Sequence, residues 1–216
     1  MTWGEELRTS RAKWAITFCA VTFLLMFLLM PVFYRDVITP KKGILLDDVF
    51  LNLFVPHNWS LPIFLILYLA VANTILRAVK DPETVILGVT VYCAVNLLRT
   101  LTMYLVTLEP PTGMILLVDP ISSALYPDSG FAKDLFFSGH VSTIMIVVIL
   151  EKKRVFKILN ALGTVVIAIL LAWQHVHYTL DLVAAPLATY GVFLLIRKYY
   201  RNGPEVAGTA GNTKSN

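Results

Sequence analysis

Long apolar runs separated by short polar segments are the dominant pattern along this chain. The apolar residues follow one another instead of alternating with polar ones, which favours membrane-spanning helices over the strands of a β-barrel. The fourth run is short unless the residues before it extend the helix. We therefore predict an all-α protein, a bundle of six transmembrane helices over residues 14–34, 61–76, 84–108, 138–150, 155–173 and 180–196.

Composition narrows the class of protein further. Hydrophobic residues make up 57% of the chain and charged residues 15%, which is too apolar for a soluble globular protein of 216 residues. The net charge of +4 comes from short basic clusters between the apolar runs, a distribution typical of membrane proteins and not of nucleic-acid binding. We expect a membrane and no nucleic acid as partner. Oligomeric state stays open.

Domain organisation and orientation follow from the polar segments. No internal repeat is visible, so residues 1–201 are expected to form one domain, and residues 202–216, rich in glycine and small polar residues, a disordered tail. Of the 18 Lys and Arg residues, Arg99 lies inside an apolar run and 13 fall in segments on the N-terminal side of the membrane. Only four fall on the opposite side, so the positive-inside rule predicts that both termini are cytoplasmic.

Several polar residues at the ends of apolar runs are candidates for chemistry. The predicted topology brings His140, His177 and Asp181 to the extracytoplasmic side, with Asp134 and the outer half of the Arg99 helix. His177 and Asp181 are spaced i, i+4, which places both on one face of a helix. Asp181 would then hold one ring nitrogen and leave the other as a nucleophile or base.

An anion is the ligand that the remaining candidates favour. Ser138 and Gly139 precede His140 at a predicted helix start, where free N–H groups and the helix dipole attract a phosphate. Arg99 costs a few kcal/mol inside a membrane and is expected to face a cavity and bind an anion, although its long side chain has the alternative of reaching the outer surface. The candidates are His140, His177 and Asp181 for catalysis, and Arg99, Asp134, Lys133, Ser138 and Gly139 for substrate binding.

Two motifs carry a family resemblance. Ser-Gly-His at 138–140 and His-Tyr-Thr-Leu-Asp at 177–181 resemble the paired motifs of the sphingomyelin synthases and related sphingolipid synthases, within the type 2 phosphatidic acid phosphatase superfamily. Asp134 matches the Asp of that family's D-x-x-x-S-G-H stretch, and residues 99–103 resemble its R-x-x-T-M stretch. Phe137, where the phosphatases have Pro, favours the synthase branch. Glu109 and Lys133 depart from the synthase pattern.

The resemblance implies a two-step phosphoryl transfer without metal or cofactor. His177 would attack the phosphorus of a phospholipid donor, while His140 protonates the leaving diacylglycerol and later activates the hydroxyl of a lipid alcohol, ceramide or diacylglycerol. Asp134 would hold His140 or the headgroup amine. Two alternatives remain open: a hydrolase using water at the same site, and a non-catalytic lipid-binding membrane protein. The headgroup also stays open among choline, ethanolamine and inositol, although Asp134, Glu109 and Asp119 favour a cationic one.

Overall fold

The computed structural model describes residues 2–119 and 132–201, and these fold into helices connected by loops. The predicted tail at 202–216 and part of the long loop before His140 lie outside the described residues. A π-helical turn at Phe33–Ile38 extends α2, and a 3₁₀ turn lies at Leu51–Leu53. The seven α-helices of the described part are α1 (Trp3–Glu6), α2 (Ser10–Val32), α3 (Ser60–Ala78), α4 (Pro82–Leu105), α5 (Gly139–Leu150), α6 (Arg154–Trp173) and α7 (Thr179–Arg201).

Polar side chains fix where several helices begin. The Thr9 side chain accepts the Ala12 N–H at the start of α2, and Ser138 accepts the Val141 N–H at the start of α5. At α4, Asp81 is the N-cap and is followed by a proline at the first helical position. Such caps satisfy N–H groups that have no partner within the helix, and the proline loses no hydrogen bond there.

The short helix α1 is a feature that hydrophobic periodicity did not predict. It begins with a capping box, in which Thr2 accepts the Glu5 N–H and the Glu5 side chain accepts the Thr2 N–H. Trp3 Nε1 donates to the Val79 carbonyl oxygen at 2.7 Å, which holds α1 against the end of α3. The Thr-x-x-Glu spacing was the available sequence signal.

Five helices, α2, α3, α4, α6 and α7, are long and apolar enough to cross a membrane. Each lies within a few residues of a predicted run, so the described structure is that of a helical membrane protein. The remaining helix, α5, has 12 residues and is about 18 Å long, shorter than the hydrocarbon core of a bilayer. Five spans therefore meet the length criterion, and the sixth stays a prediction.

The short helix α5 lies at the centre of the bundle, where it packs against α3, α4, α6 and α7. Ile144 of α5 is fully buried in a core that includes Ile63, Val95, Ile167 and Ala185, one from each of these neighbours. Outward-facing residues are large and apolar, as a lipid environment requires. Helices long enough to span a membrane thus surround this shorter central helix.

The two ends of the helix bundle hold different parts of the chain. We call the end that holds the N-termini of α5 and α7 the site end, and the end that holds α1 and the C-terminus of α7 the far end. Because Tyr200 donates to Glu6 at 2.6 Å, both described ends of the chain meet at the far end. On which side of a membrane the termini lie stays a prediction.

Loops at the site end are held by long-range backbone contacts. Ile44 and Leu108 form a parallel bridge, with Ile44 N–H donating to Thr107 and Glu109 N–H donating to Ile44, each at 3.0 Å. A Cβ on Gly43 would lie 2.6 Å from the Leu108 carbonyl carbon, so this close approach needs glycine. The segment that follows is thereby fixed over the start of α7.

Candidate active site

A cavity of about 550 Å³ opens among α2, α3, α4 and α5. Its walls are mostly apolar and extend towards Leu150 and Ala78 near the far end. Its polar groups concentrate at the site end, where Arg99, Asp134 and His140 line it. An amphipathic cavity of this kind fits a lipid, with the headgroup at the polar end and acyl chains along the walls.

Arg99 is buried and its guanidinium is held in place by three oxygen acceptors. Nε donates to the Phe137 carbonyl oxygen at 2.8 Å, and Nη2 donates to Asp134 Oδ1 at 2.6 Å. Nη1 lies 3.4 Å from Asn96 Oδ1, one turn earlier on α4. The side chain therefore lines the cavity instead of extending to the outer surface. Asn96 was missed at the sequence level, although a polar residue three positions before a buried arginine was a usable signal.

Gly139 allows this arrangement. A Cβ at that position would lie 2.6 Å from Arg99 Nη1 and 2.7 Å from its Cζ, so any larger residue would displace the guanidinium. The first N–H groups of α5 have no acceptor within the helix, and the positive guanidinium lies against the same turn. Together they form the positive part of the site.

Asp134 is the carboxylate partner of Arg99. Burial is the largest single effect and opposes its ionisation, but the Arg99 guanidinium, His177, Tyr34 and His140 together outweigh it and keep the pKa of Asp134 below its usual range. The Tyr34 hydroxyl, from the π-helical turn after α2, donates to Met103 Sδ at 3.4 Å and lies close enough to this carboxylate to help lower its pKa. Asp134 is thus an ionised acceptor that positions Arg99. Tyr34 could not be connected to it from the sequence, because 100 positions separate the two.

The two predicted histidines come together across α5 and the α6–α7 connection. Their ring centroids are 6.5 Å apart. The His140 ring also packs edge-to-face on Phe64, with centroids 5.5 Å apart. His140 Nδ1 is buried and has no hydrogen-bond partner among the described residues. A buried polar atom without a partner is costly in a finished core and is typical of a site awaiting a ligand.

His177 and Asp181 form the expected pair, but not on one helix. Asp181 is fully buried and its Oδ2 lies 3.5 Å from His177 Nδ1. The assumption that both residues lie on a helical face was wrong, because α6 ends at Trp173 and α7 begins only at Thr179. Asp181 instead accepts the Tyr178 N–H at 3.1 Å, which turns the chain into α7 and brings the imidazole back over the carboxylate.

A hydrogen bond between backbones ties the two motifs together. The Ser138 N–H donates to the Asp181 carbonyl oxygen at 3.3 Å. The Ser138 side chain is fully buried and caps α5, so its observed contact is with the protein. Of the predicted binding residues, Arg99, Asp134 and Gly139 therefore meet around His140, and Ser138 supports their position from within.

Lys133 lies elsewhere. Its Nζ donates to Glu109 Oε1 and to the Lys41 carbonyl oxygen, both at 2.9 Å, and Glu109 also accepts the Gly43 N–H at 2.8 Å. Lys133 does not line the cavity. The sequence suggested Lys133 as a point charge for the phosphoryl oxygens, but in the structure its Nζ contacts Glu109 and Lys41 instead. Two departures from the synthase pattern, Lys133 and Glu109, thus pair with each other.

Asp48 supports the histidine pair from the loop that follows the Ile44 bridge. Its carboxylate accepts the Thr179 N–H at 2.6 Å and the Thr179 hydroxyl at 3.0 Å. Burial opposes ionisation of Asp48, but these hydrogen bonds prevail and lower its pKa. An anion at the first turn of α7 also complements the helix dipole. Asp48 is a positioning residue.

His175 has a structural role. It lies at positive φ (56°), and its Nδ1 is 2.8 Å from the Thr112 carbonyl oxygen. Its Nε2 is within 3.2 Å of the carbonyl oxygens of Leu51 and Phe54. This histidine joins two loops at the site end.

Comparison with known proteins supports part of the resemblance. The family model described as PAP2 superfamily C-terminal matches residues 133–199. No curated protein matches the chain. The matched segment contains His140, His177 and Asp181 and supports membership of the PAP2 superfamily, whose members are generally phosphatases or phosphotransferases acting on lipids. It does not distinguish the sphingolipid synthase branch from the others.

Proposed function

We propose, from the premise of PAP2 superfamily membership, that this protein is a membrane-embedded phosphotransferase. It would move the phosphorylated headgroup of a phospholipid to a lipid alcohol, ceramide or diacylglycerol, through a phosphohistidine on His177. The proposal includes six membrane crossings, cytoplasmic termini and an extracytoplasmic site, supported by the distribution of basic residues.

One observation carries this proposal: His140 lines the polar end of an otherwise apolar cavity, beside Arg99 and next to the His177–Asp181 pair. The two ring centroids are 6.5 Å apart; His140 lines the cavity, whereas His177 lies buried behind it and is not among the described lining residues. Arg99 and the start of α5 supply positive charge for the phosphoryl oxygens, where charge accumulates in the transition state. The apolar walls favour a lipid over a soluble phosphate ester.

In the first step, His177 attacks the phosphorus and a nitrogen–phosphorus bond forms as the bond to the diacylglycerol oxygen breaks. Asp181 stabilises the positive charge that develops on the His177 ring. His140, in its protonated form, transfers its proton to the leaving oxygen. Diacylglycerol departs, and the headgroup phosphate remains on His177.

In the second step, neutral His140 removes the proton from the acceptor hydroxyl, and the resulting oxygen attacks the same phosphorus. The nitrogen–phosphorus bond breaks, the new phosphodiester leaves, and His140 is again protonated. A water molecule in place of the lipid alcohol would give hydrolysis by the same steps. The mostly apolar lining of the cavity supports the lipid alcohol as acceptor.

The test is product analysis on the purified full chain in mixed micelles. Headgroup-labelled phospholipid is supplied alone, with ceramide and with diacylglycerol carrying distinguishable acyl chains. We expect label in a new lipid that depends on the added acceptor. Release of only water-soluble phosphate or phosphoalcohol would support the hydrolase and exclude the transferase.

Matched histidine variants test the catalytic assignment. His177→Ala is expected to reduce turnover at least about 10³-fold and to abolish acid-labile phosphate on the protein, because the nucleophile is lost. His57→Ala is the control, since His57 is exposed at the site end and its ring lies beside Trp59. Equal activity of folded His177→Ala and wild type would favour the non-catalytic alternative.

A further inference from the structure

His175 is buried at the site end, and carbonyl oxygens face both of its ring nitrogens. Nδ1 lies 2.8 Å from the Thr112 oxygen, and Nε2 lies 3.1 Å and 3.2 Å from the oxygens of Leu51 and Phe54. A backbone carbonyl only accepts hydrogen bonds, and a neutral imidazole has one N–H. In either neutral tautomer, a nitrogen lone pair would therefore face a carbonyl oxygen. Only the imidazolium donates at both nitrogens.

The backbone at His175 ends α6 in a conformation that favours glycine. Its φ is 56°, its N–H donates to the Ala172 carbonyl oxygen at 3.0 Å, and the N–H of Val176 donates to Leu171 at 3.0 Å. These two bonds form a Schellman motif, in which glycine is the usual residue at this position because it lacks a Cβ. A histidine there carries a conformational cost, which the contacts of its ring offset.

The surroundings of the ring favour a positive charge. The last carbonyl groups of α6 give that helix end a partial negative charge. His175 also lines a cavity of about 300 Å³ with Asp47 and Asp48, which accept hydrogen bonds from neutral groups of Asn52 and Thr179. None of the described residues that line this cavity is a lysine or an arginine. Carboxylates without a cation beside them favour the protonated form of an imidazole.

Other titratable groups near this turn have partners of their own. Tyr178 also lines the cavity, and its hydroxyl donates to the Glu109 carbonyl oxygen at 2.9 Å. The Glu109 carboxylate pairs with Lys133 at 2.9 Å, and His177 Nδ1 lies 3.5 Å from Asp181 Oδ2. In the described structure, none of these pairs brings a cation into the cavity that His175 lines.

His177 lies between two anchors that belong to one loop, residues 48–54. Two positions before His177, the His175 ring contacts carbonyl oxygens of this loop. Two positions after it, the Thr179 N–H donates to Asp48 of the same loop at 2.6 Å. A change at either anchor should therefore shift His177 relative to its carboxylate partner.

We propose that His175 is a positioning residue of the active site that acts as an imidazolium. Its two N–H groups hold the 48–54 loop and the segment of Thr112 to the end of α6, and so place His177 for attack on phosphorus. The inference rests on the proposed function and adds a dependence on one proton. As the pH rises, the ring releases a proton to water through the cavity, one of its contacts is lost, and turnover falls.

Nitrogen-15 NMR of the histidine-labelled full chain in micelles reports the protonation of each ring nitrogen. The chain has four histidines, and the signal of His175 is identified by its absence in His175→Asn. We expect both ring nitrogens of His175 to be protonated in the folded protein at pH 6.5. An unprotonated ring nitrogen on His175 at that pH would overturn the proposal.

His175→Asn is also the variant for function. Asparagine tolerates a positive φ and can donate at the position of Nδ1, but it carries no charge at any pH. We expect kcat to fall by about 10- to 100-fold at low pH, with KM for the lipid within about twofold, because His175 does not line the lipid cavity. The pH dependence of kcat that comes from His140 should remain, and the part that comes from His175 should be absent.

The thermal midpoint of unfolding gives a readout that does not need turnover. The protonated ring makes both contacts, so its stabilising effect is present at low pH and is lost as the pH rises. Between pH 5 and pH 8, the range in which histidines change charge, the wild-type midpoint should fall more than that of His175→Asn.

His57→Asn is the matched control, because His57 is an exposed histidine at the site end beside Trp59. It should keep the kcat, KM and pH profiles of wild type. Identical pH dependence of the thermal midpoint in wild type and His175→Asn would reject the imidazolium, even if the variant is less active. If wild type shows no turnover of any donor, the proposed function fails, and the NMR and thermal measurements still decide the charge on His175.

Discussion

Buried carboxylates occur at both ends of the bundle, but their surroundings differ. At the far end, Glu6 is fully buried and accepts hydrogen bonds from Tyr200 at 2.6 Å and from Arg11 at 3.0 Å. At the site end, Asp181 is equally buried, yet its Oδ1 has no hydrogen-bond partner among the described residues, and Oδ2 lies 3.5 Å from the nearest imidazole nitrogen.

This difference separates the hydrogen-bonded Glu6 carboxylate from Asp181, which keeps an oxygen without a hydrogen-bond partner, as buried Glu151 Oε2 at the far end also does among the described residues. The Glu6 cluster joins α1, α2 and α7, and its hydrogen bonds offset the cost of burying charge. At the histidine pair, burial lowers stability, because His140 Nδ1, His177 Nδ1 and Asp181 Oδ1 are buried without a hydrogen-bond partner among the described residues. A ligand or a transferred phosphate could supply the missing hydrogen-bond partners of these atoms. Substitutions at the two ends should therefore change different observables.

Among substitutions that compare the two ends without removing a catalytic histidine, the largest expected effect is on activity, from Gly139→Ala. The new Cβ would lie 2.6 Å from Arg99 Nη1 and would displace the guanidinium from the phosphate position. Displacing a binding group by about 1 Å costs roughly 10²-fold in turnover. The measurement is headgroup turnover together with the thermal midpoint of unfolding, which should change little.

The control for this substitution is Gly191→Ala. A Cβ there meets nothing within 4 Å, and α7 should gain some stability because alanine favours helices. Activity comparable to wild type in Gly139→Ala would show that Arg99 need not occupy its present position.

The far end should respond in stability instead. Glu6→Ala leaves the Tyr200 hydroxyl and Arg11 without their buried acceptor, and we expect a loss of about 2–4 kcal/mol in the free energy of unfolding. Turnover per folded molecule should stay near the wild-type value. Denaturant unfolding in detergent, with activity normalised to folded protein, measures both.

Glu5→Ala is the matched control, since Glu5 is the adjacent carboxylate but is exposed. Its substitution removes one hydrogen bond of the α1 capping box and should lower stability by about 1 kcal/mol at most, less than Glu6→Ala, with no effect on turnover. A fall in turnover with unchanged stability in Glu6→Ala would mean that the two ends of the bundle are coupled.

The smallest effect concerns pH and Asp48. Hydrogen bonds from Thr179 hold the folded-state pKa of Asp48 below its ordinary value of 3.8, despite burial. The stability contributed by this carboxylate is then fully present above pH 3.8 and is lost as the pH falls through the lower folded-state value. Wild type should lose thermal stability on acidification below about pH 4, in the range of ordinary Asp titration.

In Asp48→Asn, the loss of thermal stability that protonation of Asp48 causes in wild type should be absent. The free energy of unfolding at pH 7 should be about 1 kcal/mol lower than in wild type, as for loss of a helix cap. Thermal melts from pH 7 to pH 3 provide the comparison. Identical pH profiles for variant and wild type would contradict the role assigned to the carboxylate charge.

Local features of the fold were predictable from the residues. Runs of apolar side chains located six helices, and the start of α5 after Ser138 matched within one residue. Within the candidate site, the approach of His177 to Asp181 was also predicted, although its helical explanation was wrong. Positive φ at His175 and the end of α6 depend on contacts with loops far away in sequence, so no local pattern indicated them.

By itself the sequence determined the helical membrane class, the approximate limits of the spans and the residue types available for phosphoryl transfer, because hydrophobicity and motif spacing are local properties. Only the tertiary structure decided which polar groups meet. Arg99 pairs with Asp134, Lys133 pairs with Glu109, and Asp119 meets Tyr68. These partners are 24 to 51 positions apart, and helix packing, which depends on the whole core at once, brings them together.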